Sequence, residues 1–322
     1  MGTALPKKVL TNFDLEKLVD TSDEWITTRT GIKERRIVDN NTATSDLVVD
    51  ASKKAIKEAG INPEDIDMLI VATDTPDNAY PSTACWVQKG LRINSMPAVD
   101  IVAGCTGWLY GLELASGLLS TGGYKNILVA GGEVMSKVVN WEDRATCVLF
   151  GDGAGATIVS PTDKSYGLLS CVLGADGNLG ELLVQPAGGT RLPASEETVK
   201  KKLHTVRMQG NEVFKHAVRR MGEAAFQALK IAGVSSKDIS LFIPHQANIR
   251  IIEATCKRTG IPLEKTYNTI QRYGNMSAAS LPVTLAEAKR DGRIKEGDLI
   301  LFAAFGAGFT WGAAVLRWGS SD

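Results

Sequence analysis

Ala55-Ile-Lys-Glu-Ala-Gly-Ile-Asn-Pro-Glu-Asp-Ile-Asp-Met-Leu-Ile70 returns 173 residues later as Ala228-Leu-Lys-Ile-Ala-Gly-Val-Ser-Ser-Lys-Asp-Ile-Ser-Leu-Phe-Ile243. Each copy reads as the end of an amphipathic helix, a Gly that stops it, a short loop and an apolar strand. The same offset carries the apolar run 127–132 onto 300–305, and Cys105 onto Ala278, just inside a second helix start. Agreement through three elements implies one α/β unit used twice, residues 1–165 carrying the cysteine and 166–322 carrying the other candidate groups. Helix followed by buried strand, repeated, predicts mixed, mainly parallel sheets layered with helices. Sites in such sheets form beyond the carboxyl ends of the strands.

Three residues fall at such ends. Cys105 follows the apolar run 97–103 and opens a helix-like stretch to about Leu119. Unpaired N–H groups and the helix dipole there favour a thiolate, although free cysteines are also common as small packed hydrophobes. His245, in Pro244-His-Gln-Ala-Asn248, follows a second apolar strand and precedes a helix over 249–259. It suits either an acid–base group or a capping or core histidine. Asn275, in Tyr273-Gly-Asn-Met-Ser-Ala-Ala-Ser280, sits between a Gly and a helix start. It suits an N-cap, an Asx turn or a carboxamide donor to a developing oxyanion. His204 and His216 read as solvated and packed.

Composition narrows the function classes. The 36 Lys and Arg balance 36 Asp and Glu, leaving no net field for nucleic acid or an anionic membrane. Five scattered cysteines without CxxC spacing argue against a disulfide framework and a zinc site, and for a reducing compartment. The N-terminal Met-Gly-Thr-Ala-Leu-Pro-Lys-Lys lacks the apolar region of a secretory signal. Residues 299–316 carry no charge over 18 positions, but Gly306, Gly308 and Gly312 suit a turn between two buried strands better than a membrane helix. Gly151-Asp-Gly-Ala-Gly-Ala156 resembles a dinucleotide loop. With a strand rather than a helix after it, the motif reads as a β-turn structure. Residues 174–202 read as an excursion between the halves with a surface helix.

The chain resembles the thiolase-fold condensing enzymes, and among them the β-ketoacyl-acyl carrier protein synthase III family. The resemblance rests on Thr21-Ser-Asp-Glu-Trp-Ile-Thr-Thr-Arg-Thr-Gly-Ile-Lys-Glu-Arg-Arg36, Phe150-Gly-Asp-Gly-Ala-Gly155, Met208-Gln-Gly-Asn-Glu-Val-Phe-Lys215, Ile243-Pro-His-Gln-Ala-Asn-Ile-Arg250, the Tyr273–Ser280 segment above and Phe305-Gly-Ala-Gly-Phe-Thr-Trp-Gly312. These segments span nearly the whole chain. Elongating ketosynthases carry two histidines and thiolases a second cysteine, so a Cys-His-Asn set points to the initiating class.

The resemblance implies an acyltransferase of type II fatty acid synthesis that acylates Cys105 from a short acyl-CoA and condenses it with malonyl-acyl carrier protein. His245 and Asn275 would serve the malonyl thioester, and the N–H groups of Cys105 and Ala307 an oxyanion hole. Trp25, Arg29, Arg144, Met208, Gly210, Phe214 and Asn248 would meet CoA. Lys215, Gln246, Arg250, Lys257 and Arg258 would meet the carrier protein. Tyr80 would close the acyl pocket of the neighbouring subunit in a homodimer. The implied enzyme is cytoplasmic and uses neither metal nor other cofactor, CoA thioester being a substrate. A related synthase of secondary metabolism, indifferent to carrier protein, is the alternative, and a non-catalytic acyl-binding relative is a rival of another class. Three positions depart from the family pattern. The strand before Leu5-Pro6 is shortened or absent, Ala307 replaces a common Gly, and Met276 stands where Thr is frequent.

Overall fold

The structure, a computed structural model, describes residues 1–162 and 165–319; residues 163–164 and 320–322 of the two halves lie outside it. The first half runs β1 (Gly2–Ala4), β2 (Lys8–Thr11), α1 (Asn12–Leu15), α2 (Asp23–Thr30), β3 (Glu34–Ile37), α3 (Thr44–Ala59), β4 (Met68–Ala72), α4 (Thr83–Leu91), β5 (Ala98–Ile101), α5 (Gly107–Ser120), β6 (Ile127–Val134) and β7 (Asp152–Val159). The second runs β8 (Gly167–Ala175), β9 (Leu183–Val184), α6 (Glu196–Lys200), β10 (Arg207–Met208), α7 (Gly210–Ala232), β11 (Leu241–Pro244), α8 (Ile249–Thr259), α9 (Ile270–Tyr273), α10 (Ser280–Arg290), β12 (Leu299–Gly306) and β13 (Thr310–Arg317).

The repeat is visible element by element. Helices α3 and α7 end on Gly60 and Gly233, with φ of 69° and 68°, the left-handed cap that a glycine adopts without Cβ strain. Strands β4 and β11, and β6 and β12, then occupy matching places in two sheets ordered β1-β7-β6-β4-β5 and β8-β13-β12-β11. Pairing is parallel at β4–β5, β4–β6 and β11–β12, where helices make the crossovers, and antiparallel at β1–β7, β6–β7, β12–β13 and β8–β13. The sheets are thus more evenly mixed than the helix–strand alternation predicts.

Five layers result. Helices α3 and α4 cover the outer face of the first sheet through Val48, Ala51 and Val87, and α7 and α8 cover the second through Ala225, Ala228 and Ile252. Between the sheets lie α5 and α10, where Trp108 and Leu109 of one copy pack with Leu281, Leu285 and Phe302 of the other. Fully burying each of these large side chains contributes about 1.5–3 kcal/mol.

The uncharged 299–316 segment is the hairpin β12–β13, as its glycines predict. Among the described residues no helix is long and apolar enough to cross a membrane. One reading needs correction. Residues 152–156 are part of β7 rather than a turn: their glycines answer to close neighbours, since a Cβ on Gly153 would lie 2.6 Å from Met276 Sδ and one on Gly155 2.9 Å from Val283 N. The first strand is the shortened one of the two alternatives, three residues long, paired with β7 and pressed onto α3, where a Cβ on Gly2 would lie 2.1 Å from Ala51 O.

Candidate active site

Two short turns face each other across the pseudo-twofold axis. Gly104–Thr106 leads into α5, and Ser277–Ala279, at the same offset as the repeat, leads into α10. Both open on a left-handed residue, Gly104 at φ 59° and Ser277 at φ 43°. A non-glycine there costs of order 1–3 kcal/mol and persists only where its surroundings hold it. The Ser277 hydroxyl donates to Asp74 Oδ2 at 3.0 Å, and Gly104 N–H donates to Asp74 Oδ1 at 3.2 Å, so one carboxylate at the end of β4 ties both turns. Behind it the fully buried Glu133 accepts from Thr75 Oγ1 at 2.7 Å and from Asp74 N–H at 3.1 Å.

Cys105 is buried, 8% exposed. The expectation of a favoured thiolate is reversed: burial pushes the thiol up to about 12, the Asp74 and Glu133 carboxylates push the same way, and a Ser277 hydrogen bond opposes them. Helix position alone does not settle the charge of a group walled from water beside two acids.

His245 directly follows β11 and its backbone N–H donates to Ala303 O at 2.8 Å, which fixes the residue to the neighbouring strand. Burial draws its imidazole down to about 3, so the ring is neutral, and neither ring nitrogen has a partner among the described residues. An unpaired buried polar group is costly and calls for a ligand or water. Asn275 is held by its backbone, donating to Leu149 O at 2.8 Å and accepting from Gly151 N–H at 3.0 Å. Its side-chain oxygen accepts the Ser277 N–H at 2.8 Å, an Asx turn that leaves the NH₂ as the free end of the carboxamide.

Cys105, His245, Asn275 and Ala307 all line one cavity of about 820 Å³. Its mouth is bordered by Trp25, Arg29, Met208, Gly210, Phe214 and Asn248, and its deeper wall includes Met135, Leu149, Phe150 and Phe305. Residues 174–202, read as an excursion, supply Gly180, Leu183 and Val184 to the lining of the cavity. Arg144 is just outside the lining, but its guanidinium lies 5.1 Å from the Trp25 ring while that of Arg29 lies 4.8 Å away, so two cations meet the indole. Asn248 caps α8 through Oδ1 to Arg250 N–H at 2.9 Å and donates to Arg29 O at 3.0 Å, joining the helix to that cluster. Among the non-glycine described residues only Arg92, Lys202 and Ser277 have positive φ, so Ala307 offers its N–H without the strain its substitution for Gly suggested.

The carrier-facing set divides. Arg250 and Lys257 both border a shallow cavity on α8, while Lys215 pairs with Glu212 at 2.7 Å and Arg258 with Glu223 at 3.7 Å. Gln246 does not belong there. It is fully buried, its amide donating to Pro244 O at 2.6 Å and accepting from Thr269 and Ile270 N–H, so it braces the loop under His245. Tyr80 is 88% exposed and outside the cavity of its own chain. Asp74, Glu133 and Ser277 were missed. The signal available was Thr73-Asp-Thr75 directly after an apolar strand, a carboxylate at a strand's carboxyl end.

A doubled five-layer α/β body with a buried thiol, a neutral imidazole and a carboxamide converging between the halves defines a thiolase-fold condensing enzyme. Residues 99–177 and 229–318 match the families described as 3-oxoacyl-[acyl-carrier-protein] synthase III and its C-terminal part. The chain is 56% identical over 317 residues to the β-ketoacyl-[acyl-carrier-protein] synthase III of Caldanaerobacter subterraneus, covering 98% of this chain and 96% of that protein. It superposes on the crystal structure of 3-oxoacyl-[acyl-carrier-protein] synthase III from Aquifex aeolicus with a TM-score of 0.91 and 49% identity, covering 98% of each chain. For the Thermus thermophilus synthase III the TM-score is 0.92 at 44% identity, covering 99% of this chain and 98% of that one. The chain belongs to the β-ketoacyl-acyl carrier protein synthase III family.

Proposed function

We propose that this enzyme primes fatty acid synthesis: Cys105 takes an acyl group from a short acyl-CoA, and the acyl-enzyme condenses with malonyl-acyl carrier protein to give 3-oxoacyl-acyl carrier protein, CoA and CO₂. The observation that carries the reading is the pairing of two neutral donors with one nucleophile in a single cavity. A neutral imidazole N–H and the Asn275 NH₂ donate to the malonyl thioester carbonyl as CO₂ leaves, stabilising the enolate without a cation that would hold the carboxylate back. The enolate carbon attacks the acyl carbonyl on Cys105. The resulting oxyanion accepts from the N–H groups of Cys105 and Ala307, and collapse returns the Cys105 thiolate.

Trp25 with Arg29 and Arg144 against its ring supplies flat cationic and aromatic faces for adenine. Arg250 and Lys257 give an acidic carrier protein a local basic surface on a chain of zero net charge, and Lys215 and Arg258, each paired with a glutamate, are its further candidates. Tyr80, exposed and aromatic, supports a homodimer in which it closes the neighbour's acyl pocket. Residues 1–165 and 166–322 act as the two repeats, and the enzyme works in the cytoplasm with no cofactor. Nothing favours the secondary-metabolic alternative, whose indifference to carrier protein would leave the basic surface unused.

Incubation with acetyl-CoA followed by peptide mass spectrometry tests the reading. Acetyl on Cys105 is expected. Acetyl on another residue, or none, rejects it.

A further inference from the structure

The oxyanion hole proposed above draws its two N–H groups from different halves, Cys105 from the turn before α5 and Ala307 from the turn between β12 and β13. Such donors act only when both lie about 2.7–3.1 Å from the developing oxyanion, and a misplacement of about 1 Å costs on the order of a hundredfold in rate. The distance between the turns must therefore be fixed. Gly104 against Ala307, and Gly306 against Cys105, leave no room for a Cβ, so backbone contact sets how near the turns come. Two buried threonine hydroxyls oppose their separation. Thr106 Oγ1 lies 2.6 Å from Ala103 O and 2.9 Å from Thr310 Oγ1. Thr310 Oγ1 lies 2.7 Å from Ala103 O and 3.1 Å from Ala307 O.

We propose that Thr106 and Thr310 clamp the oxyanion hole, Thr310 being the positioning residue that ties the turn of one half to the turn of the other. The clamp rests on the reading of Cys105 as the acylated nucleophile with Ala307 as the second donor. Each hydroxyl carries one proton, so the four contacts are shared. Thr106 donates to Ala103 O or to Thr310 Oγ1, and Thr310 donates to Ala103 O or to Ala307 O. In every arrangement the Thr310 proton falls on a carbonyl of one turn or the other. Those carbonyls stand one peptide unit before the Cys105 N–H and one peptide unit after the Ala307 N–H. Both threonines are outside the lining of the cavity, so they act through the turns they hold.

The clamp has a kinetic signature that packing alone lacks. Acylation and condensation both place a tetrahedral oxyanion between the Cys105 and Ala307 N–H groups, whereas loss of CO₂ places enolate charge on His245 and Asn275. Loosening the clamp therefore slows acylation and leaves decarboxylation nearly intact. Because the hole is complementary to the intermediate rather than to the bound thioester, the loss falls on the rate and not on half-saturation by acetyl-CoA. A threonine that merely filled space would lower both half-reactions together, through the fraction of folded enzyme.

Single-turnover CoA release from acetyl-CoA, malonyl decarboxylation and thermal unfolding, measured on wild type and five variants, test the clamp. Thr310→Val keeps the β-branched shape without the hydroxyl, and Thr310→Ser keeps the hydroxyl without the methyl. Thr106→Val and the double valine variant probe the pair. Thr157→Val, which removes a buried hydroxyl 3.0 Å from Val129 O and outside the cavity lining, is the control. Thr310→Val is expected to release CoA about tenfold more slowly, with decarboxylation within about twofold of wild type. Thr310→Ser should recover most of the rate, and Thr157→Val should lose stability but not rate. The double variant should lose little more than Thr310→Val, because hydroxyls that act as a unit are not additive. Wild-type CoA release in Thr310→Val, equal loss of both half-reactions, a serine variant as slow as the valine one, or additive losses overturn the clamp. Should Thr310→Val fail to fold, Thr106→Val carries the same comparison, and unchanged CoA release in it overturns the clamp. A wild type that releases no CoA rejects the functional reading instead.

Discussion

Gly306 is packed against Cys105 so closely that a Cβ on it would stand 2.3 Å from the Cys105 nitrogen. Gly104, on the other side, would meet Ala307 N at 2.5 Å if it carried a Cβ. The turn that presents Ala307 N–H and the turn that presents the thiol are therefore set by direct backbone contact. Gly306→Ala is expected to push them apart, cutting acylation by a hundredfold or more and costing about 1–3 kcal/mol from overpacking. Gly117→Ala, inside α5 with nothing within 4 Å of the added methyl, is the control and should gain up to about 1 kcal/mol. Thermal unfolding and CoA release measure both.

His245→Ala and Asn275→Ala should each lower malonyl decarboxylation by about 10² to 10³, the cost of one oxyanion donor, while reducing acylation of Cys105 far less. Decarboxylation of malonyl-acyl carrier protein and acetylation from acetyl-CoA, assayed separately, give the comparison. Equal loss in both half-reactions refutes the division of roles.

Trp25→Ala removes the surface on which Arg29 and Arg144 converge. Its KM for acyl-CoA should rise about tenfold, the worth of a cation–π stack of 1–2 kcal/mol, with kcat nearly unchanged. Steady-state kinetics in acyl-CoA at saturating malonyl-acyl carrier protein reads this directly.

Lys257→Glu, on the exposed face of α8 and away from the deep cavity, should raise KM for malonyl-acyl carrier protein several-fold and reduce its dependence on salt, leaving KM for acyl-CoA alone. A matched rise in both KM values rejects a carrier-specific surface.

Two buried groups set opposite limits on stability. The folded His245 titrates near 3, below its unfolded value, so its contribution is complete above about pH 6.5 and is lost as pH falls toward 3. Glu133 is raised to about 8, above its unfolded value, so its contribution is complete below about pH 4.3 and is lost as pH rises through 8. Wild-type unfolding temperature is expected to decline between pH 6.5 and 8.5. Glu133→Gln, though less stable overall because Thr75 and Asp74 N–H lose a carboxylate, should show a flatter decline over that range. Parallel curves for the two proteins overturn the assignment.

The halves were legible because the repeat keeps its offset through α3 and α7, β4 and β11, the turns at 104–106 and 277–279, and β6 and β12. It fails after that point because residues 135–151 separate β6 from β7 while only 307–309 separate β12 from β13. Cys105, His245 and Asn275 could be picked out because strand ends and helix starts are local patterns. The charge state of the thiol was not, since Asp74 and Glu133 reach it from two other strands. Gln246 was misplaced for a similar reason: a polar residue beside an active histidine looks exposed until its amide is seen bonded to Thr269 and Ile270. The glycines of β7 answer to Met276 and Val283, more than a hundred residues away in sequence.

The central layer gives the duplication its permanence. Trp108 of the first copy meets Phe302 of the second edge-on, with ring centroids 5.6 Å apart, and neither α5 nor α10 has an apolar face that its own half alone can cover. The two copies share one interior, so neither could be exchanged, trimmed or removed as a cassette without laying bare the apolar face of the other.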